Sequence, residues 1–405
     1  RTNAPVAYDG PNGIQALLQG LERFGWSEVH ENGHLIALER AGGSVTLEPG
    51  GQFELSGAAM GDVHSTCLET QLHLDEAKQV GAELGLSFLA LGFTPQWRRE
   101  DVPVMPKGRY EIMRNYMPKR GRLGLDMMFR TCTVQTNLDF ASEADMVAKF
   151  RTSLALQPVA TALFANSPFV EGKPSGLLSS RANVWTDTDP DRTGMLDFVF
   201  QDGFGFETYA NYLLDVPMYF VKRGGRYIDV AGRSFRSFMA GELPELPGQC
   251  PSMKDWADHI TTAFPEVRLK QYLEMRGADT GPLDRICALQ ALWVGVLYDD
   301  ASLAAAWDLC KHWTSEDRQK LRGDAARLGL KAEVAGRSLQ DVAKDLITIS
   351  AQGLKARAVL NSQRRDERIY LDVLGEIAES GMTPADRLLE KYHGEWQGDV
   401  SKAFE

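Results

Sequence analysis

Ser44-Val45-Thr46-Leu47-Glu48-Pro49-Gly50-Gly51-Gln52-Phe53-Glu54-Leu55-Ser56 is a pair of alternating apolar and polar runs split by Pro-Gly-Gly. Side chains alternate across a strand. Val45, Leu47, Phe53 and Leu55 therefore share one face, and Thr46, Glu48, Gln52 and Glu54 share the other. A tight turn at Pro49-Gly50-Gly51 sets Glu48 opposite Gln52 and Thr46 opposite Glu54. Such a hairpin, apolar on one side and carboxylate-bearing on the other, predicts an antiparallel sheet with one covered and one open face.

Outward from the hairpin, Asn12 to Phe24 carries Ile14, Leu17, Leu18, Leu21 and Phe24 at helical spacing and stops at Gly25, and Leu35 to Leu38 reads as a strand. Ser65 to Leu84 predicts a helix with Asp62 or Ser65 as its N-cap, and Leu86 to Phe93 a buried strand. Pro95 to Arg122 is too basic and broken for core; Leu125 to Phe140 reads as one long strand. Ser142-Glu143-Ala144-Asp145 opens a helix to about Ala165 that Pro158 should kink. Ser175 to Phe206, dense in Gly, Asp and Ser, is a candidate lid or substrate loop.

Strand patterns return at Met218 to Lys222, Arg226 to Val230 and Arg268 to Gly277. From Pro282 the pattern is almost wholly helical: Leu283 to Tyr298, Ala301 to Trp313, Ser315 to Leu328, Leu339 to Leu360, Tyr370 to Glu379 and Pro384 to Tyr392. Strands first and helices later predict an α+β fold and not βαβ alternation. We expect an antiparallel-sheet catalytic region over residues 1–281 and a helical region over 282–405 packed on the same domain.

The 405 residues carry a net charge of −11, which argues against broad contact with nucleic acid. No apolar run approaches the roughly 18 residues of a membrane span. Five cysteines (Cys67, Cys132, Cys250, Cys287, Cys310) without CxxC spacing make neither a disulfide framework nor a zinc site, so a reducing compartment is expected. The chain opens at Arg1 without Met, which predicts a natural N-terminus further upstream.

Sorting the other strands by face places Thr131, Thr133, Gln135, Asn137 and Asp139 together, and Lys270, Tyr272, Glu274 and Arg276 together, with Met127 and Met128 expected in the core. If these strands share a sheet with the hairpin, its polar face holds Glu48, Glu54 and Glu274 with amides and one Arg. Clustered carboxylates repel unless protonated or bridged by a cation, and oxygen ligands suit Mg²⁺ or Mn²⁺. A solvated sheet face is the competing reading; the near absence of Lys counts against it. Trp97 to Arg120, with Arg98, Arg99, Lys107, Arg109, Arg114, Lys119 and Arg120, is the main cationic segment and suits phosphates or carboxylates as well as it suits a solvated loop. Arg181, near Trp185, is a candidate clamp for a substrate carboxylate. His64 and His73 lack metal spacing, Gly203-Phe204-Gly205-Phe206 is no phosphate fingerprint, and no GxSxG element is present.

Leu47 to Gly57, Trp97 to Tyr110, Ile112-Met113-Arg114-Asn115-Tyr116-Met117-Pro118, Arg130 to Asn137, Trp185-Thr186-Asp187-Thr188-Asp189 and Tyr272 to Asp279 together closely resemble the plant-type glutamate–cysteine ligases, a family shared with proteobacteria. The resemblance implies a glutamine-synthetase-like curved antiparallel sheet with flanking helices. It also implies ATP- and Mg²⁺-dependent joining of L-cysteine to the γ-carboxylate of L-glutamate through γ-glutamyl phosphate, the first step of glutathione synthesis.

Carried over by position, the resemblance implies Glu54 and Glu274 as metal ligands, with Glu48 and Gln135 as further ligands or their neighbours. Arg276 is the expected catalytic cation, Arg181 the glutamate-binding arginine and Tyr219 a wall of the cysteine pocket; Lys107, Arg109 and Arg114 are expected on nucleotide phosphates. It further implies a Glu-x-Glu strand upstream of Arg1. Cys67 and Cys287 occupy the positions of one family disulfide, whereas Val230 and Glu245 occupy those of the second, so reduced thiols and weak redox control are expected. A γ-glutamyl ligase with another amine acceptor, or a non-catalytic nucleotide-binding relative, are the alternatives. The expected setting is a bacterial cytoplasmic monomer or weak homodimer acting on small molecules, with a plastid as the alternative compartment.

Overall fold

In a computed structural model, residues 3–405 are described. Helix α1 (Ile14–Leu21) buries Ile14, Leu17, Leu18 and Leu21, and Gly25 ends the following turn at φ 87°. Strands β1 (Ser27–Glu31), β2 (His34–Arg40), β3 (Gly43–Leu47) and β4 (Phe53–Ser56) form an antiparallel sheet in chain order. The hairpin register matches expectation: Thr46 faces Glu54, and the Glu48 amide donates to the Gln52 carbonyl at 3.0 Å. Gly51, at φ 84°, supplies the left-handed residue of that turn. Strand β1 was not legible because Ser-Glu-Val-His-Glu pairs at a sheet edge with little burial.

Helix α2 (Val63–Glu83) is capped by Asp62, whose side chain accepts from the Ser65 amide at 2.8 Å. The expected strand over Leu86 to Phe93 is absent. That segment is pinned by loop contacts instead, with Gly92 N donating to Asn166 O and Asn166 Nδ2 to Ala90 O, and Phe88 is exposed. The basic segment, expected outside the core, folds as α3 (Gly108–Tyr116), and Met105, Tyr110, Ile112, Met113 and Tyr116 are buried. The long strand over Leu125 to Phe140 splits into α4 (Gly124–Arg130) and β5 (Thr133–Leu138). Leu, Met and Arg, free of branching at Cβ, favour the helix, and the β-branched Thr131, Thr133 and Val134 that follow favour the strand.

Helix α5 (Glu143–Leu163) starts on Ser142, which accepts from the Asp145 amide at 3.2 Å, and runs on through Pro158. Arg268 to Gly277 is a hairpin of Val267–Leu269 and Leu273–Asp279, turned at Lys270-Gln271-Tyr272. With β5 it makes a separate three-stranded antiparallel sheet. The single sheet expected from face patterns is thus two sheets, because β4 and β5 do not pair. The C-terminal helices, Leu283–Leu297, Asp300–Cys310, Ser315–Leu328, Leu339–Arg357, Asp372–Ser380 and Pro384–His393, stand where the periodicity placed them.

One apolar cluster joins α5, the three-stranded sheet and the C-terminal helices through Phe150, Met275, Leu292, Trp293 and Leu346; another joins α1, the four-stranded sheet and α3 through Leu18, Leu38, Leu47 and Met113. Met127 and Met128 lie in the second, as expected. Cys67 and Cys287, expected as reduced thiols, are paired as a disulfide with Cα atoms 5.6 Å apart, tying α2 to Leu283–Leu297. Among the described residues no single helix is long and apolar enough to cross a membrane.

Candidate active site

The β3–β4 turn packs against the end of α4. Gln52 Nε2 donates to the Met128 and Thr131 carbonyls at 3.1 and 2.9 Å, and Gln52 Oε1 accepts from the Gly50 amide. At the start of α3, Lys107 Nζ and Tyr110 OH both donate to the Leu47 carbonyl, at 2.8 and 2.7 Å. These bonds fix the hairpin carboxylates beside the α3 cations and beside β5.

Burial, then Glu48, pushes the Glu54 carboxyl up to about 7, while Arg276 and Lys107 oppose the shift. Burial and Arg109 bring Lys107 down to about 8 against the pull of Glu48, Glu54 and Glu31. Burial also works against the charge on Arg109, but Tyr110 and Glu48 more than offset it and hold its pKa above the ordinary arginine value. Arg114, expected beside them, is exposed further along α3, so the three cations do not form one cluster.

On the three-stranded sheet, Glu274 is 1% exposed and is approached by three cations: Arg268 through Nε, Lys270 Nζ at 2.8 Å and Arg276 Nη1 at 3.4 Å. Its burial favours the neutral acid, but Arg268 and Arg276 win and hold the carboxyl at about 2. Glu274, expected as a metal ligand, is ion-paired to Arg268, Lys270 and Arg276. Gln135 Oε1 likewise accepts from Arg276 Nη1 at 3.1 Å. Arg276, brought down to about 10 by burial and by Arg268, lies near the Trp185 and Phe264 rings.

Arg181 lies in the short helix Ser180–Val184, capped by Ser179 Oγ, and is buried. Its Nη2 donates to the Arg276 carbonyl, while Nε has no partner within the protein. Asp279 anchors this helix through Ser179 Oγ at 2.7 Å and Ser167 Oγ at 2.6 Å. Burial, then Glu54, pushes the nearby Cys132 thiol up to about 11 and keeps it neutral.

The stretch expected as a lid is instead anchored: Asp189 and Arg192 are both fully buried and joined at 2.7 Å. Arg192 lies 3.9 Å over the ring of Tyr219, whose other neighbour is Tyr116. Tyr219, expected on the cysteine pocket, is fully buried with an unpartnered hydroxyl and lines no open surface. Face sorting put Lys270 and Arg276 beside Glu274 but missed Arg268 as its partner. Placing the turn at Lys270-Gln271-Tyr272 sets Arg268 directly opposite Glu274.

Among the described residues no three His, Cys, Asp or Glu side chains gather as a ready metal site. Glu48 and Glu54 nonetheless fit a hard divalent ion: two electrostatically opposed carboxylates are what Mg²⁺ commonly takes from a protein, its other positions going to water and substrate phosphate.

The profile of glutamate-cysteine ligase family 2 matches residues 1–405. A chloroplastic glutamate–cysteine ligase of Arabidopsis thaliana is 56% identical over 405 residues, all of this chain and 76% of that protein. One from Medicago truncatula is 55% identical over 402 residues, 99% of this chain and 77% of that protein. Glutamate–cysteine ligase B of Oryza sativa subsp. japonica, also chloroplastic, is 54% identical over 405 residues, all of this chain and 80% of that protein. With the whole chain matched, the chain belongs to the glutamate–cysteine ligase family.

Proposed function

We propose that this chain joins L-cysteine to the γ-carboxylate of L-glutamate at the expense of ATP, forming γ-glutamylcysteine as the first step of glutathione synthesis. The observation that carries this reading is that Glu48 and Glu54 lie within electrostatic reach of the half-buried cations Lys107 and Arg276 in a chain of this family, with Lys107 tied to the Leu47 carbonyl of the same hairpin. The two antiparallel sheets are taken as parts of a glutamine-synthetase-like curved sheet whose open side carries these residues.

A γ-carboxylate oxygen of glutamate attacks the γ-phosphorus of ATP and ADP leaves. The cysteine amine then attacks the acyl carbon of γ-glutamyl phosphate, phosphate leaves and the amine loses a proton. Such chemistry needs positioning and charge stabilisation more than a protein nucleophile. Glu48 and Glu54 would hold Mg²⁺ or Mn²⁺, which supplies charge neutralisation of the phosphate oxygens when bound. Arg276 and Lys107 add fixed positive charge, and Arg109 supports it. Glu274 and Gln135 aim the Arg276 guanidinium. Arg181, with its free Nε–H, takes a carboxylate of glutamate. The relatives are named as chloroplastic, which supports the plastid alternative and not the bacterial cytoplasm expected from the sequence.

Phosphate release from ATP and Mg²⁺ tests the reading, measured with glutamate and with cysteine or 2-aminobutyrate as acceptor. Release that requires both amino acids, with γ-glutamylcysteine identified by mass, supports it. Nucleotide binding without turnover moves the function to a non-catalytic role, and turnover with a different amine changes the acceptor.

A further inference from the structure

We infer that Arg322, in the helical C-terminal region, is a positioning residue for Arg181 and Trp185, whose unpartnered N–H donors would take a substrate carboxylate. The inference rests on the ligase reading above. Arg322 lies in helix Ser315–Leu328, whose charged sequence reads as a solvated surface. Its guanidinium is instead largely covered: Nε donates to Glu266 at 2.7 Å and Nη2 to the Trp185 carbonyl at 2.9 Å, with both members of the ion pair 15% exposed.

These two contacts hold opposite walls of one small region. The Glu266 carbonyl accepts from the Arg276 amide at 3.1 Å, and the Glu266 amide donates to the Gly194 carbonyl at 3.0 Å, so Glu266 ties the Arg276 strand to the short strand Thr193–Gly194. Trp185 follows the helix that carries Arg181, four residues on and therefore on the same helical face. The Trp185 ring lies 5.8 Å from the Arg276 guanidinium carbon and 6.1 Å from the Phe264 ring. Arg181 closes the circuit by donating to the Arg276 carbonyl.

Two N–H donors in this frame, Arg181 Nε and Trp185 Nε1, are buried and have no partner within the protein. Burying a donor unpaired is costly, and such groups in native folds call for an explanation. A substrate carboxylate, accepting from both, supplies one. Their spacing depends on where the Trp185 turn sits relative to Arg276, and Arg322 is the side chain that binds both supports at once. A forked guanidinium can serve a carboxylate and a carbonyl together, whereas a lysine can offer only a point charge.

The test compares wild type with Arg322→Ala, Arg322→Lys and Glu266→Gln by steady-state kinetics and thermal denaturation. For Arg322→Ala the KM for glutamate should rise by about tenfold or more with the KM for ATP within about twofold, and Arg322→Lys should recover part of that loss. Glu266→Gln should shift the glutamate KM in the same direction. A purely structural role predicts a lowered melting temperature with both KM values unmoved, and that result overturns the inference, as does an active Arg322→Ala with wild-type constants. If Arg322→Ala does not fold, Arg322→Lys and Glu266→Gln decide by the same split. Wild type without glutamate- and cysteine-dependent turnover overturns the ligase reading itself; normal wild-type turnover with unaltered variants overturns only the role of Arg322.

Discussion

Arg268 and Glu274 are register partners on adjacent strands, and the Arg268 guanidinium donates through Nε to the Glu274 carboxylate in a site almost closed to water. Lys270 and Arg276 approach the same carboxylate, so one buried anion holds three cations.

Removing that anion leaves the cations facing one another. Breaking a buried pair from one side typically costs about 3 to 5 kcal/mol, because the partner stays buried without compensation. Glu274→Gln is expected to lose stability on that scale and to lower kcat by misaiming Arg276, as read by urea denaturation and initial rates. A variant as stable and active as wild type would show that Glu274 is not the organising charge.

Glu54 presents the opposite situation, a carboxyl pushed up by burial and then by Glu48. Glu54→Gln should abolish Mg²⁺-dependent ATP turnover while leaving the fold as stable as wild type or more so. Added Mg²⁺ with a nucleotide analogue should raise the melting temperature of wild type and not of the variant. Equal metal stabilisation of both proteins would remove Glu54 from the metal site.

The hairpin at Pro49-Gly50-Gly51 was legible because turn residues and a period of two agree there, so the Thr46–Glu54 register could be written from the sequence. The turn at Lys270-Gln271-Tyr272 has neither Gly nor Pro, and it hid the pairing of Arg268 with Glu274. Leu125 to Arg130 alternates weakly enough to pass for a strand, yet with no β-branched residue it winds as α4. The carboxylates Glu48, Glu54 and Glu274 could be named from face patterns and resemblance. That they sit on two unpaired sheets, one pair opposed and the third neutralised, depends on contacts between segments far apart in the chain, which local periodicity does not encode.

His73 lies in the apolar layer beside Phe53, with ring centroids 5.6 Å apart and nearly parallel planes, and burial, with a minor push from Arg40, brings its pKa from 6.5 to about 4. The unfolded chain therefore binds the proton first on acidification. Stability contributed by the neutral ring is complete above pH 6.5 and is lost as pH falls towards 4, by about 3 kcal/mol in all. His259, buried and likewise brought to about 4, adds a similar slope over the same window. Replacing His73 by Phe should flatten part of the fall in melting temperature between pH 6.5 and 4; an unchanged slope would show that His73 is not buried neutral.

The Cys67–Cys287 bridge spans 220 residues of sequence and links α2 to the helix that lines the larger core. A cross-link acts largely by restricting the unfolded chain, and losing one typically costs about 2 to 4 kcal/mol. Dithiothreitol should therefore lower the melting temperature of wild type to that of Cys67→Ser and leave the variant unmoved. Activity is a separate matter. The second pair of family positions holds Val230, buried, and Glu245, which is ion-paired to Arg233 at 2.6 Å, so no second bridge can couple reduction to the hairpin at Phe220–Arg223 and Arg226–Asp229. We expect initial rates before and after reduction to agree within about twofold at a temperature where both forms are folded. A several-fold change that Cys67→Ser abolishes would make this single disulfide a switch as well as a staple.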